Sequence, residues 1–218
     1  MTKPWYKRDP DRYAREKQRV QERYPELRFY EDEPLILIHG AFPVLDKHGE
    51  TLDRYRIEIL VPPSFPENLP IVFEVGERIP RHLDRHIVNQ KGQCCLETEV
   101  DFRARHGADY NLVDFLDGPV RSFFADQSHF EETGEWPHGE RSHGSEGMFE
   151  SYEEILGTTD REAICRWVYY LAQQEVNLDY DCPCGSGLPI RNCHQEQFAR
   201  LLERIPSCAA DKSMRDLA

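Results

Sequence analysis

Residues 55–75, YRIEILVPPSFPENLPIVFEV, decide the fold of this 218-residue chain. In residues 55–61 apolar side chains alternate with Arg56 and Glu58, which is the period of a half-buried antiparallel strand. A proline-bounded link follows and leads to a further apolar segment at residues 71–75. The stretch therefore predicts two successive strands of an antiparallel meander.

The segments before this stretch predict a helix and one more strand. Asp9 is a capping residue type and Pro10 suits the first position of a helix, after which apolar residues recur on one face to near Pro25. Residues 35–44 are apolar and branched enough for a strand, and residues 46–50 have the composition of a turn. We expect a helix followed by a meander of three strands.

Helical periodicity returns in the second half of the chain. Apolar residues at helical spacing begin at Leu112, and Gly118-Pro119 is expected to kink or restart that helix. Residues 159–162 have the form of a capping box before a buried helix that ends near Gln174. The chain is therefore expected to belong to the α+β class.

Charge and composition exclude several classes of function. The chain has 27 Lys and Arg against 40 Asp and Glu, a net charge of −13, which disfavours nonspecific attraction to nucleic-acid phosphates. It has no export signal and no long apolar run, so we expect a soluble, cytoplasmic protein that binds neither nucleic acid nor membranes. Its seven cysteines are an odd number, which favours metal ligands and reactive thiols over a disulfide framework.

Residues 79–97, IPRHLDRHIVNQKGQCCLE, carry two adjacent cysteines and little periodicity. A long stretch without regular structure inside a compact domain is usually functional or disordered. A thiol is intrinsically nucleophilic, and acyl transfer through it splits one difficult step into two easier ones. The alternative is that Cys94 and Cys95 are small buried hydrophobic residues. A disulfide between them is disfavoured, because adjacent Cα atoms are only about 3.8 Å apart.

The order and spacing of these features resemble those of ubiquitin-conjugating enzymes. The resemblance extends over about residues 9–130 and depends on the combination of the proline link with the cysteine spacing. The matching features are the helix, the meander, Phe65-Pro66, Leu69-Pro70, the histidine loop and Gly92-Gln93-Cys94-Cys95-Leu96-Glu97. The resemblance implies a ubiquitin-conjugating-like domain with an N-terminal helix, an antiparallel meander, a catalytic loop and C-terminal helices.

The resemblance also implies roles for individual residues. Cys95 is the counterpart of the catalytic cysteine, and Cys94 occupies the usually aliphatic position before it. His86 matches the histidine of the family's loop although no proline follows it, and Asn89 is displaced by two positions from the family's asparagine. His86, Asn89 and backbone N–H groups near Gly92 are the candidate donors to the oxyanion of acyl transfer.

These departures make the chain similar to bacterial relatives of the conjugating enzymes in antiphage operons, including the CBASS systems. The resemblance implies that Cys95 carries the C-terminus of a partner protein as a thioester and passes it to an amine. In the CBASS version the implied partner is a cGAS-like nucleotidyltransferase. The alternative is an adaptor, a binding module of the same fold without chemistry.

The polar loop that follows Trp136 contains three further candidates. His138, Glu140 and His143 are candidates to support Cys95 as a base or through their charge, because histidine titrates near neutral pH. One alternative is a solvated, glycine-rich loop held on the core by Trp136. A third class of function is a metal-dependent hydrolase with the three residues around a second ion.

Residues 181–194, DCPCGSGLPIRNCH, predict a metal site. Cys182, Cys184, Cys193 and His194 form a closed tetrahedral set of the kind that binds structural Zn²⁺, because four protein ligands leave no open position. The run resembles the SEC-C motif that is appended to many bacterial proteins. We therefore expect a zinc knuckle beside the main domain.

The expected domain organisation follows from these patterns. Residues 1–175 are predicted to form the ubiquitin-conjugating-like domain. Residues 176–206 are predicted to form the zinc knuckle with its docking helix, and residues 207–218 a flexible tail.

Overall fold

The computed structural model describes residues 3–46, 48–137, 142–174 and 176–217. Within these ranges the strands, in chain order, are β1 (Leu27–Asp32), β2 (Leu35–Leu45), β3 (Thr51–Val61) and β4 (Ile71–Glu74). The α-helices are α1 (Trp5–Arg8), α2 (Pro10–Arg23), α3 (Glu99–His106), α4 (Leu112–Phe115), α5 (Arg121–Thr133), α6 (Gly144–Leu156), α7 (Arg161–Gln173), α8 (Gln195–Arg204) and α9 (Ser207–Leu217). The α+β class is confirmed.

The chain divides into two compact units. Unit 1 comprises Met1–Leu96 and Tyr110–Gly139, and unit 2 comprises Glu97–Asp109 and Glu140–Ala218. This division differs from the predicted domains, because α3, α6 and α7 share a hydrophobic core with the cysteine segment at residues 182–193. Long-range packing of this kind leaves no boundary signal in the sequence.

Unit 1 is built on an antiparallel sheet with the strand order β1-β2-β3-β4 in the described residues. The predicted meander is confirmed, and β1 is added to its edge. Of the six residues of β1, Leu27 alone is buried, so this strand lacks the alternation that reveals β3. In β3 the predicted inward residues Tyr55, Ile57, Ile59 and Val61 are all buried.

Helix α2 forms where the sequence predicts it. The Asp9 side chain caps the helix by accepting a hydrogen bond from the Arg12 N–H at 2.8 Å, and Pro10 occupies the first turn. Val20 and Tyr24 are fully buried. The helix is thereby held on unit 1 through one apolar face.

Helices α4 and α5 are separated by a wide π-type turn, Leu116–Val120. Gly118 has φ −89° and ψ −107°, outside the helical region, immediately before Pro119. The expected interruption at this dipeptide is therefore confirmed. Phe124 of α5 contacts Tyr55 of β3 at 4.7 Å between ring centroids, so α5 packs on the sheet.

Unit 2 is a helical assembly around one core. Asp160 caps α7 by accepting hydrogen bonds from the N–H groups of Glu162 and Ala163, and Trp167 is buried in the core. The segment that the sequence predicts to be a flexible tail contains helix α9, Ser207–Leu217. Its small residues Ala209 and Ala210 are buried, a contact that weak apolar patterning does not reveal.

None of the helices in the described ranges combines the length and the apolar character that a transmembrane span requires.

Candidate functional site

The cysteine loop, which we define as residues 79–96, follows β4 in unit 1. It contains a single 3₁₀ turn, Leu83–Arg85, and two isolated antiparallel bridges, one of which pairs Ile87 with Cys94. The Cys94 N–H donates to the Val72 carbonyl at 2.9 Å, and the Cys95 N–H donates to the His86 carbonyl at 2.7 Å. The two cysteines are therefore held in extended backbone beside β4.

The adjacent cysteines have different environments. Cys94 is 7% exposed and buried in the core of unit 1, whereas Cys95 is half-buried. This difference follows from extended backbone, in which successive side chains point to opposite faces. Burial raises the pKa of both thiols, much more strongly for Cys94. Of the two cysteines, Cys95 has the side chain with more access to solvent.

His86 ends the 3₁₀ turn in a left-handed backbone conformation, with φ 51° and ψ 35°. Its N–H donates to the Leu83 carbonyl at 2.7 Å, and its carbonyl accepts the bond from Cys95. Left-handed conformations of residues other than glycine persist where surrounding contacts impose them, and they are enriched at functional sites. The backbone of His86 is thus fixed on both sides.

Asn89 organises the turn between His86 and the cysteines. Its Oδ1 accepts hydrogen bonds from the N–H groups of Lys91 and Gln93 at 3.0 and 3.4 Å, and its Nδ2 donates to Gln93 Oε1 at 2.9 Å. The side-chain amide is engaged within residues 89–93. In this structure Asn89 therefore shapes the loop that carries Cys95.

A buried ion pair anchors the same loop to β4. Glu74 is fully buried and its carboxylate accepts a hydrogen bond from Arg81 Nη1 at 2.8 Å. The Gly92 carbonyl accepts the Glu74 N–H at 2.8 Å, and Gly92 has a positive φ of 87°. A Cβ atom at Gly92 would lie 2.1 Å from the Glu74 carbonyl oxygen, so the close approach requires glycine.

The cysteine loop is hydrogen-bonded to α5 through Arg85. Arg85 Nε and Nη2 donate to Gln127 Oε1 at 3.1 and 2.8 Å, and Gln127 Nε2 donates back to the Arg85 carbonyl at 3.0 Å. Gln127 is fully buried, so these three bonds are shielded from water. The residue before His86 is therefore fixed by side-chain and backbone contacts.

Of the three predicted supporting residues of the polar loop, the structure describes His143. His138 and Glu140 lie outside the described residues. His143 is exposed at the N-terminal boundary of α6 and belongs to unit 2, whereas Cys95 belongs to unit 1. The supporting role of these residues stays a prediction.

The four predicted metal ligands come together in unit 2. The ligand atoms of Cys182, Cys184, Cys193 and His194 all lie within 4.8 Å of one another. Cys182 Sγ and Cys193 Sγ are 3.2 and 3.1 Å from His194 Nδ1, and Cys184 Sγ is 3.5 Å from Cys193 Sγ. This Cys3His cluster has the donor set and the spacing to hold a metal ion.

Two further residues support the Cys3His cluster. Ser186 Oγ lies 3.3 Å from Cys193 Sγ. Burial raises the pKa of the Cys184 thiol, whereas hydrogen bonds from Ser186, Cys182 and Cys193 lower it and prevail, giving a pKa of about 6. The His194 ring contacts Trp167 edge-to-face at 5.8 Å, and Trp167 stacks on Phe198 at 5.2 Å. The cluster is therefore continuous with the core of unit 2.

The contribution of several residues to these two sites is not evident from the sequence. Glu74, Arg81 and Gln127 are charged or polar residues whose burial depends on distant partners. Trp136 contacts the His86 ring at 4.8 Å across fifty residues of sequence. Ser186 does have a local signal, because it lies within the predicted metal-binding segment.

Compared with models of known protein families, with curated proteins and with solved structures, the chain matches none. Its chemistry is therefore inferred from the two sites themselves.

Proposed function

We propose that this chain is a thioester-forming, protein-conjugating transferase of the ubiquitin-conjugating type, with Cys95 as its nucleophile. The observation that carries the proposal is the opposite placement of two adjacent thiols. Cys94 is buried in the core, whereas Cys95 is half-buried on a loop whose backbone is fixed by His86. A carrier thiol needs a rigid support and access to a partner, and Cys95 has both.

The proposed reaction has two balanced steps. In the first, the Cys95 thiol loses its proton to solvent, and its sulfur attacks the activated C-terminal acyl carbon of a partner protein. A C–S bond forms and the activating group leaves with its electron pair. In the second step an amine attacks the thioester carbonyl, a C–N bond forms and the C–S bond breaks, so that Cys95 leaves as a thiolate and the proton lost by the amine nitrogen passes to solvent.

His86 is the preferred donor to the oxyanion in this proposal. Its backbone is fixed next to Cys95 by a 2.7 Å hydrogen bond, while the Asn89 amide is engaged in its own turn. A single well-placed donor lowers the barrier of acyl transfer by about 2.7–4 kcal/mol. Asn89 supports the site through the loop backbone.

The element order of unit 1 supports the proposed ubiquitin-conjugating-like fold. Helix α2, the antiparallel meander, the cysteine loop and α5 follow one another in the order that the sequence resemblance implies. The proposed setting is a bacterial cytoplasm, in antiphage defence of the CBASS type. The proposed acyl-carrying partner is a cGAS-like nucleotidyltransferase.

The proposed metal is a structural Zn²⁺ in the Cys3His cluster, as in SEC-C motifs. Tetrahedral zinc with the usual Zn–S and Zn–N bond lengths separates its ligand atoms by about 3.5–3.8 Å. The upper end of that range applies to two sulfurs and the lower end to sulfur and nitrogen, so the Cys184 Sγ to Cys193 Sγ distance of 3.5 Å and the sulfur to His194 distances of 3.2 and 3.1 Å are all slightly shorter. Four protein ligands leave no open position, so zinc would stabilise unit 2.

The test is a covalent adduct with a cGAS-like nucleotidyltransferase that bears an activated C-terminus. Wild-type protein is expected to form an adduct that a reducing agent cleaves. Cys95→Ala is expected to lose it, and Cys94→Ala and Cys165→Ala to retain it. Cys95→Ser is expected to give an oxyester that resists the reducing agent and is cleaved by alkali. An adduct that survives in both Cys95→Ala and Cys94→Ala contradicts the assignment of Cys95.

The second candidate is an adaptor that binds the same partner without chemistry. The raised pKa of the Cys95 thiol and the engaged Asn89 amide favour it. An adaptor would bind the nucleotidyltransferase with equal affinity in wild type and Cys95→Ala, and neither protein would form the adduct. Adduct formation by wild type alone excludes this alternative.

A further inference from the structure

The His86 ring has an aromatic neighbour that lies fifty residues away in the sequence. The ring centroids of His86 and Trp136 are 4.8 Å apart with an interplanar angle of 71°, an edge-to-face contact within unit 1. Trp136 is itself half-buried, in the segment that follows α5. The indole therefore lies beside the side chain that the proposed reaction uses as a donor.

Trp136 is supported by a closed series of contacts. Its ring lies against Phe130 of α5 at 4.5 Å, with an interplanar angle of 32°. The Arg85 guanidinium lies over the Phe130 ring, 4.6 Å from its centroid, and donates a hydrogen bond to the buried Gln127. Arg85 is the residue before His86 in the chain. The contacts from Trp136 through Phe130 to Arg85 therefore lead back to His86, the residue whose ring Trp136 contacts.

This arrangement restricts the backbone and the side chain of His86 separately. The hydrogen bonds from the His86 N–H to Leu83 and from the Cys95 N–H to the His86 carbonyl fix its backbone. Backbone hydrogen bonds do not determine the side-chain torsions. The indole of Trp136 contacts the ring and thereby limits those torsions.

We propose that Trp136 is the positioning residue of the Cys95 site, holding in one orientation the imidazole of His86, whose backbone carbonyl accepts the Cys95 N–H. This inference depends on the proposed acyl transfer for its functional meaning and deepens it, because it assigns a role to the segment after α5. Trp136 acts through His86, and its removal leaves the backbone of the cysteine loop intact.

The first arm of the test measures the imidazole directly. The carbon-bound ring protons of His86, assigned with His86→Gln, are expected to show a ring-current shift that Trp136→Leu abolishes. Trp136→Phe keeps an aromatic ring and is expected to retain most of the shift. Tyr169→Leu removes an exposed aromatic side chain from α7 of unit 2 and is the matched control, expected to change nothing at His86.

The second arm measures the single-turnover rate at which the Cys95 adduct forms and transfers. Trp136→Leu is expected to slow transfer about tenfold, and Trp136→Phe to restore most of that loss. The double variant Trp136→Leu, His86→Gln is expected to be no slower than His86→Gln alone, because a positioning residue has no effect without its target. Thermal unfolding midpoints confirm that the compared variants are folded.

The two arms separate the inference from the function on which it depends. If the wild-type protein forms no adduct, the proposed function is wrong, whereas the His86 signals still report on Trp136. An unchanged His86 spectrum in Trp136→Leu overturns the inference even when transfer slows. Additive losses in the double variant overturn it as well, because they show that Trp136 acts independently of His86. If Trp136→Leu does not fold, Trp136→Met, which also removes the aromatic ring, takes its place in both arms.

Discussion

The backbone N–H of Cys95 donates to the carbonyl oxygen of His86 across 2.7 Å. This bond joins the proposed nucleophile to the proposed oxyanion donor through their backbones. Because both partners are backbone groups, a substitution of either side chain removes neither the donor nor the acceptor. The His86 imidazole can therefore be removed without releasing the segment that carries Cys95.

His86 and Asn89 are expected to differ in their effect on transfer. We expect His86→Ala to slow it by about 10²-fold, the effect of removing one oxyanion donor. Asn89→Asp keeps the Oδ1 acceptor for Lys91 and Gln93 and is expected to remain near the wild-type rate. Single-turnover assays of the Cys95 thioester measure both rates.

The control for this comparison is His86→Gly. His86 has a positive φ of 51°, which glycine adopts without strain. A loss that backbone strain causes in His86→Ala would disappear in His86→Gly, whereas a loss caused by removal of the imidazole would remain. A greater defect in Asn89→Asp than in His86→Ala would contradict the assignment of the donor.

Gly92→Ala is expected to destabilise unit 1 and to disturb the cysteine loop. The new Cβ would lie 2.1 Å from the Glu74 carbonyl oxygen, at a residue with φ +87°. Backbone strain of this kind costs roughly 1–3 kcal/mol before the clash is added. The free energy of unfolding in urea measures the cost. Gly134→Ala, which also has a positive φ but nothing within 4 Å of the new Cβ, is the matched control.

The buried thiols are expected to make the protein less stable at alkaline pH. Burial raises the pKa of Cys94 and Cys95, so above the ordinary thiol pKa of about 8.5 the unfolded chain ionises first. Below that pH both states are protonated and the thiols make no difference. The stability contribution is therefore lost as pH rises. Urea unfolding between pH 7 and about 10 measures the slope.

Cys94→Val is the variant that tests this slope. Cys94 is the more deeply buried thiol, so its removal is expected to flatten the alkaline loss more than Cys95→Ala does. Alkylation followed by mass spectrometry gives an independent measure. The exposed Cys165 is expected to react before Cys95, and Cys95 before Cys94. Equal alkaline slopes in wild type and Cys94→Val would contradict this explanation.

The Cys3His cluster is expected to bind one zinc ion per chain. Cys193→Ser is expected to lose the metal, and Cys165→Ser, outside the cluster, to retain it. Chelation is expected to lower the unfolding midpoint of unit 2 by more than about 10 °C, because a structural zinc ion would contribute its binding free energy to folding. Trp167 fluorescence reports the change, since its ring contacts His194.

Metal analysis also decides the hydrolase alternative. The two variants compared are Cys182→Ser and Cys193→Ser. A second ion that both variants retain would support a site that includes His143. A single ion, lost in both variants, supports a structural cluster and excludes that alternative.

Local patterns are sufficient to predict most of the regular elements. The cap at Asp9, the alternation in β3 and the apolar face of α7 each depend on residues within one helix or strand. The Cys3His cluster is predictable for the same reason, because its four residues lie within residues 182–194 and short loops bring them together. By contrast, β1 and α9 escape prediction because few of their residues are strongly apolar and buried.

The sequence by itself predicted the α+β class, the four residues of the Cys3His cluster and the choice of Cys95 as the candidate nucleophile. Only the tertiary structure decided the division into two units, the use of Asn89 within its own turn and the contact of His86 with Trp136. The physical reason is the separation in sequence between the residues that interact. Helical and strand periodicities record which side of an element is buried, whereas a contact across fifty residues depends on how α5 packs against the sheet and the cysteine loop.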